Sequence, residues 1–108
     1  MTMANDAQSP VGYQILLALA ARDRHGYLIR KAVEQQTDGA MKLGPGTLYA
    51  AIRRLEDQGL IRSSWGISPE GRRAKFYTLT PAGRKRFAEE KANWRLFTSA
   101  VEQILHAT

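Results

Sequence analysis

Apolar positions recur at helical spacing through the first half of the chain. Ser9 and Pro10, a side-chain cap followed by a residue suited to the first helical turn, open the segment VGYQILLALAAR, which is apolar on nearly every side. This pattern predicts a helix buried on more than one face. A second helix is predicted from about Gly26 to Thr37, and a third from about Thr47 to Gln58 after a Gly-Pro-Gly turn. The MKL segment between them is short, and a brief strand would fit it.

After the third helix the spacing changes from helical to alternating. Ile61, Ser63 and Trp65 fall on one side of a predicted strand, and AKFYTLT, rich in aromatic and β-branched residues, predicts a second strand. The GISPEGRR segment between them has the composition of a turn region. The sequence therefore predicts a strand pair joined by a long loop.

The order of these elements defines a fold class. Thr80 and Pro81 repeat the cap-and-proline signal and open a last helix that runs to about His106. Three helices followed by a hairpin predict a winged helix-turn-helix, mainly α with a small β-hairpin (α+β), in which the third helix enters the DNA major groove and the hairpin, or wing, contacts the adjacent backbone. We expect residues 1–8 to form a flexible tail, residues 9–80 the winged domain, and residues 81–108 a C-terminal dimerisation helix.

The third helix has more polar surface than packing requires. At about 100° per residue, Leu48, Ile52 and Leu55 form a buried stripe. The outward side carries small residues near the helix N-terminus and hydrogen-bonding or basic groups beside them, which suits the floor of a groove and its phosphates. The predicted DNA contacts on and before this helix are Lys42, Gly46, Thr47, Tyr49, Arg53 and Arg54.

Charge is concentrated in the same part of the chain. The net charge is +6, and residues 42–75 contain seven Lys or Arg and three Asp or Glu. Within the wing, Arg72, Arg73 and Lys75 form a basic group, so a polyanion such as double-stranded DNA is the expected partner. Two alternatives remain open: the helix arginines form a solvated face paired with Asp57 or Glu34, or the fold is a protein-interaction module.

Composition excludes several other classes. The chain has no cysteine, which excludes disulfides and thiolate metal sites and favours a cytoplasmic location. No apolar run is long enough for a membrane span, and the N-terminus lacks the pattern of a signal peptide. The Gly-Pro-Gly turn lacks the residues of a phosphate-binding loop, and no nucleophile or clustered carboxylate motif is present. We therefore expect neither a cofactor nor an enzyme.

The last helix carries an apolar seam. Phe87, Trp94 and Val101 are spaced by heptads, and Phe97 and Ile104 form a second set, interrupted only by Glu90. This seam predicts a homodimer. Trp94 and Phe97 are also candidates to line a slot for a planar hydrophobic effector, although a role as interface core alone is the favoured explanation of Trp94.

Several motifs in order resemble the PadR family of bacterial transcriptional regulators. They are HGY (25–27), LGPGTLY (43–49), RLEDQGLI (54–61), SSWG and GRRAKFYTLTPAGR, and the similarity runs from about Ile15 to Phe87. The resemblance implies a homodimeric repressor that binds an inverted-repeat operator and is released by an effector. Thr47 and Tyr49 match its recognition-helix positions and Arg72, Arg73 and Lys75 its wing, while Ala74 stands where a basic residue is commoner. The chain resembles the short subgroup with one C-terminal helix.

Other residues of these motifs are expected to have structural roles. Tyr27 and Tyr77 should be packing residues, and Gly59 should end the third helix. Glu56 should anchor an arginine of the hairpin, because phosphates repel a carboxylate. His25 is expected at the start of the second helix or on the surface.

Overall fold

The computed structural model describes residues 6–107, which form four helices and a three-stranded antiparallel sheet. In chain order the elements are α1 (Pro10–Ala21), β1 (Arg24–His25), α2 (Gly26–Gln36), α3 (Pro45–Asp57), β2 (Ile61–Ile67), β3 (Arg73–Leu79) and α4 (Pro81–Ala107). The winged helix-turn-helix prediction is confirmed.

The helix starts follow the capping signals in the sequence. Ser9 accepts a hydrogen bond from the Gly12 N–H at 3.0 Å, and Thr80 accepts one from the Gly83 N–H at 3.0 Å. α3 begins at Pro45, two residues before the predicted start, with Gly44 as its N-cap. The prediction placed this proline in the turn, but its fixed φ and missing N–H suit the first helical position.

The sheet differs from the sequence prediction in its number of strands and in the length of its hairpin loop. β1 was not predicted; it pairs with β3 through Arg24↔Tyr77 and His25↔Phe76, which gives the strand order β1-β3-β2. The MKL segment forms no strand. The prediction of a long hairpin loop was wrong, because β2 continues through Ile67 and only residues 68–72 remain between the strands.

The short loop is closed by its own backbone. The Ser68 N–H donates to the Arg72 carbonyl at 2.7 Å, and the Gly71 N–H donates to the Ser68 carbonyl at 2.8 Å. Gly71 has a φ of 80°, which a glycine adopts without strain. The turn residues therefore define a tight hairpin tip.

One core joins the three short helices to the sheet. Its largest fully buried side chains are Ile15, Leu16, Leu19, Ile29, Val33, Leu48, Ile52 and Leu55. Ala7 is fully buried with them, although it belongs to the predicted flexible tail, of which residues 1–5 lie outside the described residues. Within residues 6–107, no helix combines the length and apolar composition of a membrane-spanning segment.

Candidate nucleic-acid interface

α3 presents an exposed polar face beside its buried stripe. Leu48, Ile52 and Leu55 are almost fully buried, as predicted. The exposed residues are Pro45, Gly46, Thr47, Tyr49, Ala50, Arg53, Arg54 and Asp57. No side chain caps the first turn, so the N–H groups of Gly46 and Thr47 have no partner within the helix and can bind an anion.

The position of Tyr49 depends on a glycine in α2. Its side chain lies against Gly26, where any Cβ would overlap the hydroxyl and ring of Tyr49. This contact connects the HGY motif to the GTLY motif. The tyrosine is 46% exposed, so part of its side chain remains at the surface.

The two adjacent arginines of α3 have different environments. The Arg54 Nε donates to Asp6 Oδ1 at 3.0 Å, and Gln58 donates to the other oxygen of the same carboxylate. No residue between 6 and 107 accepts a hydrogen bond from Arg53. The sequence suggested Asp57 or Glu34 as the partner of these arginines. In the structure Arg54 instead pairs with Asp6, which lies just before α1.

The wing carries its basic residues on exposed positions. Arg72, Arg73 and Lys75 are exposed, and none of them forms an ion pair with another described residue. The Arg73 Cζ lies 4.5 Å from the ring centroid of Trp65, which is 60% exposed on the neighbouring strand. Lys42, in the loop before α3, is also exposed.

An open cleft of about 300 Å³ separates the N-terminus of α3 from the wing. It is lined by His25, Gly26, Tyr27, Tyr49, Trp65, Arg73, Ala74, Lys75 and Tyr77. Basic and hydroxyl groups from three elements thus meet in one concave surface. The predicted contacts Tyr49, Arg73 and Lys75 are brought together there, whereas Arg54 lies toward Asp6.

Two residues of the cleft were missed or misjudged from the sequence. Tyr27 is not a packing residue: it is 57% exposed and stacks on His25, with ring centroids 6.5 Å apart. Trp65 was not considered as a site residue. Its alternation with Ile61 and Ser63 was visible, but only the structure shows that the strand has left the core by this residue.

Tyr77 and Glu56 support the base of the cleft. Tyr77 is 4% exposed, and its burial, followed by the nearby carboxylate of Glu56, raises the pKa of its hydroxyl. Glu56 accepts a hydrogen bond from Ser63 at 3.2 Å. The expectation that Glu56 anchors a hairpin arginine was wrong, since a serine occupies the strand position within reach of its carboxylate.

α4 divides its apolar seam between two surfaces. Phe87 and Trp94 pack on Tyr13 of α1, each with ring centroids 5.7 Å from it. Phe97, Val101 and Ile104 are exposed, beyond the end of α1. The first half of the seam therefore packs within its own chain, and its second half is left exposed.

Glu90 interrupts the seam as a buried acid. It is 4% exposed and accepts a hydrogen bond from Arg86 at 3.1 Å. A cavity of about 330 Å³ adjoins it, lined by Gln8, Glu90, Asn93, Trp94 and Phe97. The candidate effector residues Trp94 and Phe97 thus line one cavity, with their rings 6.0 Å apart and perpendicular.

Comparisons with known proteins identify the family of the chain. Residues 15–89 match the model of the transcriptional regulator PadR-like family. An uncharacterised 37.1 kDa protein in a transposon of Streptomyces fradiae is 42% identical over 90% of this chain, which spans only 27% of that relative. A transcriptional regulator of Mycobacterium tuberculosis is 31% identical over 78% of this chain and 75% of its own length.

A solved structure extends the similarity to the whole fold. The crystal structure of a PadR family transcription regulator from Clostridium difficile superposes with a TM-score of 0.77 at 30% identity, and covers 90% of this chain and 99% of that one. This chain belongs to the PadR-like family of transcriptional regulators.

Proposed function

We propose that this chain is a repressor that binds an inverted-repeat DNA operator as a homodimer, in the cytoplasm, and has no catalytic activity. The observation that carries the proposal is the set of unpaired basic groups on α3 and the wing. Arg53, Arg72, Arg73 and Lys75 are exposed and form no ion pair within the described residues, next to an uncapped helix N-terminus. A surface of this kind binds phosphates.

Each group has a role in the proposed complex. α3 enters the major groove, where Gly46 and Ala50 allow close approach and Thr47, Tyr49 and Arg53 reach base edges or phosphates. The wing and Lys42 contact the sugar-phosphate backbone. Arg54 contributes less, because Asp6 already accepts one of its N–H groups.

The exposed half of α4 supports the homodimer. Phe97 is 61% exposed and Ile104 66% exposed, and both lie near Val101 on one side of the helix. Large apolar groups in such a row are commonly covered by a partner. A twofold dimer through this row presents two copies of α3 to the two halves of an inverted repeat.

A planar hydrophobic effector fits the cavity at Trp94 and Phe97. The cavity lies where the packed and the exposed halves of α4 meet, so a bound ring would alter the contact between subunits and the spacing of the two α3 helices. Titration of planar cationic dyes into a Trp65→Phe variant, which leaves Trp94 as the sole tryptophan, measures this binding. If no dye changes the Trp94 emission, the effector proposal fails and Trp94 has only a packing role.

Fluorescence anisotropy with labelled duplexes tests DNA binding. Operator candidates come from selecting genomic fragments that the protein retains, and a random-sequence duplex serves as reference. Affinity should fall steeply with salt, because each phosphate contact releases counterions. Absence of binding to any duplex at low salt would refute the proposal.

A protein-interaction module is the second candidate. The exposed side chains of Trp65 and Ile67 on the wing favour it, since apolar groups often mark protein contacts. Arg73 covers one face of Trp65, however, and the surroundings are basic. The same titrations separate the candidates, because a protein-binding wing requires no affinity for DNA.

A further inference from the structure

Trp65 holds an arginine of the wing in a defined position. The Arg73 Cζ lies 4.5 Å from the centroid of the Trp65 ring. Trp65 is directly opposite Lys75 in the strand register, so Arg73 is its diagonal neighbour, within reach of a long side chain. An arginine at the end of an exposed strand is thereby restrained although no carboxylate holds it.

This restraint leaves the hydrogen-bonding groups of Arg73 unused. No residue between 6 and 107 accepts a hydrogen bond from its guanidinium, whereas Arg54 and Arg86 donate to carboxylates and Arg24 donates to a backbone carbonyl. A guanidinium that stacks by its face keeps its in-plane N–H groups available. Those groups match two oxygens of one phosphate.

The surroundings of the pair indicate the occupant. Trp65 and Arg73 form one wall of the cleft, and Tyr27 and Tyr49 form another part of it. Lys75 adds a second cation, and no carboxylate lines this cleft. An open cleft with cationic and hydroxyl walls suits a phosphodiester of one DNA strand.

We propose that Trp65 is a positioning residue for DNA binding, whose indole face orients Arg73 toward a backbone phosphate lying in the cleft. This inference rests on the proposed DNA-binding function. Restraint before binding means that less side-chain freedom is lost when the phosphate contact forms. Trp65 acts here through Arg73 and not through contact with a base.

A double-mutant cycle tests the proposal. Affinity for a fluorescein-labelled random-sequence duplex at low salt is measured for the wild type, Trp65→Leu, Arg73→Ala and the double variant. Trp65→Leu keeps an apolar side chain but removes the aromatic face, and should weaken binding about two- to fivefold. Arg73→Ala should weaken it about tenfold or more. In the Arg73→Ala background, Trp65→Leu should have no further effect.

Two further variants make the result specific. Trp65→Phe keeps a ring face and should retain most of the wild-type affinity. If Trp65 only filled space, the Phe and Leu variants should weaken binding to a similar extent. Ser64→Ala, on the opposite face of the same strand, is the matched control and should bind normally. Urea unfolding of each variant should be unchanged, because Trp65 and Arg73 are both exposed.

Each other outcome overturns the inference in a distinct way. If Trp65→Leu weakens binding equally with and without Arg73, the indole contacts DNA itself. If it has no effect in either background, the stacking is unimportant. If the wild type binds no duplex, the proposed function fails and the positioning role fails with it.

Discussion

At the scale of single residues, Gly26 and Tyr49 form a contact that neither motif reveals alone. Tyr49 lies where a side chain at residue 26 would otherwise be, at the N-terminus of α2. The glycine of the HGY motif is therefore explained by space for the tyrosine of the GTLY motif. The position of Tyr49, which we propose binds DNA, therefore depends on a glycine of another helix.

Gly26→Ala should weaken DNA binding with little effect on stability. The added methyl group displaces the end of the Tyr49 side chain, which can swing toward solvent at small cost. The loss should be about 1 kcal/mol of binding free energy, the value of one hydrogen bond. Anisotropy and urea unfolding measure the two effects. Additive losses in Gly26→Ala combined with Tyr49→Ala would contradict this explanation, since both changes remove the same contact.

Arg53 and Arg54 offer a matched pair, because they are the same residue type in adjacent positions. Arg53→Ala should cost about 1–3 kcal/mol on a selected operator and less on random-sequence DNA, as expected for a base contact. Arg54→Ala should cost less on both, because Asp6 already occupies one of its donors. Equal losses for Arg53→Ala on the two duplexes would show that it contacts only phosphate.

At the scale of elements, α4 is fixed to the winged domain by a close approach at its first turn. A Cβ at Gly83 would overlap the carbonyl of Leu60, the residue before β2. Because backbone cannot move aside as a side chain can, this glycine allows the helix to lie against the hairpin. Phe87 and Trp94 then extend the contact along Tyr13 of α1.

Gly83→Ala should destabilise the fold, with Gly46→Ala as its control. Both glycines lie in the first turn of a helix, but a Cβ at Gly46 has open space around it. We expect Gly83→Ala to lower the free energy of unfolding by about 1–3 kcal/mol or more. Gly46→Ala should raise it by up to about 1 kcal/mol, because alanine favours the helix. Urea unfolding measures both, and equal effects would exclude the close approach as the cause.

At the scale of the whole molecule, the two halves of α4 lie in different surroundings. The first half completes the core of its own chain, and the second half projects beyond it with Phe97, Val101 and Ile104 exposed. The molecule is accordingly elongated, with extents of 54 × 32 × 23 Å. A second copy that covers this projection would bring two recognition helices onto one duplex.

Phe97→Glu and Ile104→Glu should each produce monomers. A carboxylate in an apolar interface costs about 2 kcal/mol or more, and a twofold axis introduces each change twice. Leu96→Glu is the control, since Leu96 is 72% exposed and lies about a quarter turn away on α4. Sedimentation equilibrium measures the assembly. A monomeric wild type, or variants that remain dimeric, would contradict the proposed interface.

The sequence alone is sufficient to predict the helices, the presence of the hairpin and the family. Ser9 with Pro10, Thr80 with Pro81, and the stripe of Leu48, Ile52 and Leu55 depend on neighbours within one or two helical turns, so periodicity and capping reveal them. The basic wing was likewise visible as a charge pattern. These features depend on residues that are close in the sequence, so the sequence alone is enough to predict them.

Contacts between distant segments were decided only by the tertiary structure. Arg54 meets Asp6 across 48 residues, β1 pairs with a strand more than 50 residues later, and Tyr49 crosses Gly26. The stacking of Arg73 on Trp65 requires the strand register, which a loop shorter than predicted determines. Each depends on which surfaces the core brings together. No spacing along the chain specifies that, because the partners of a side chain are chosen by the packing of whole elements.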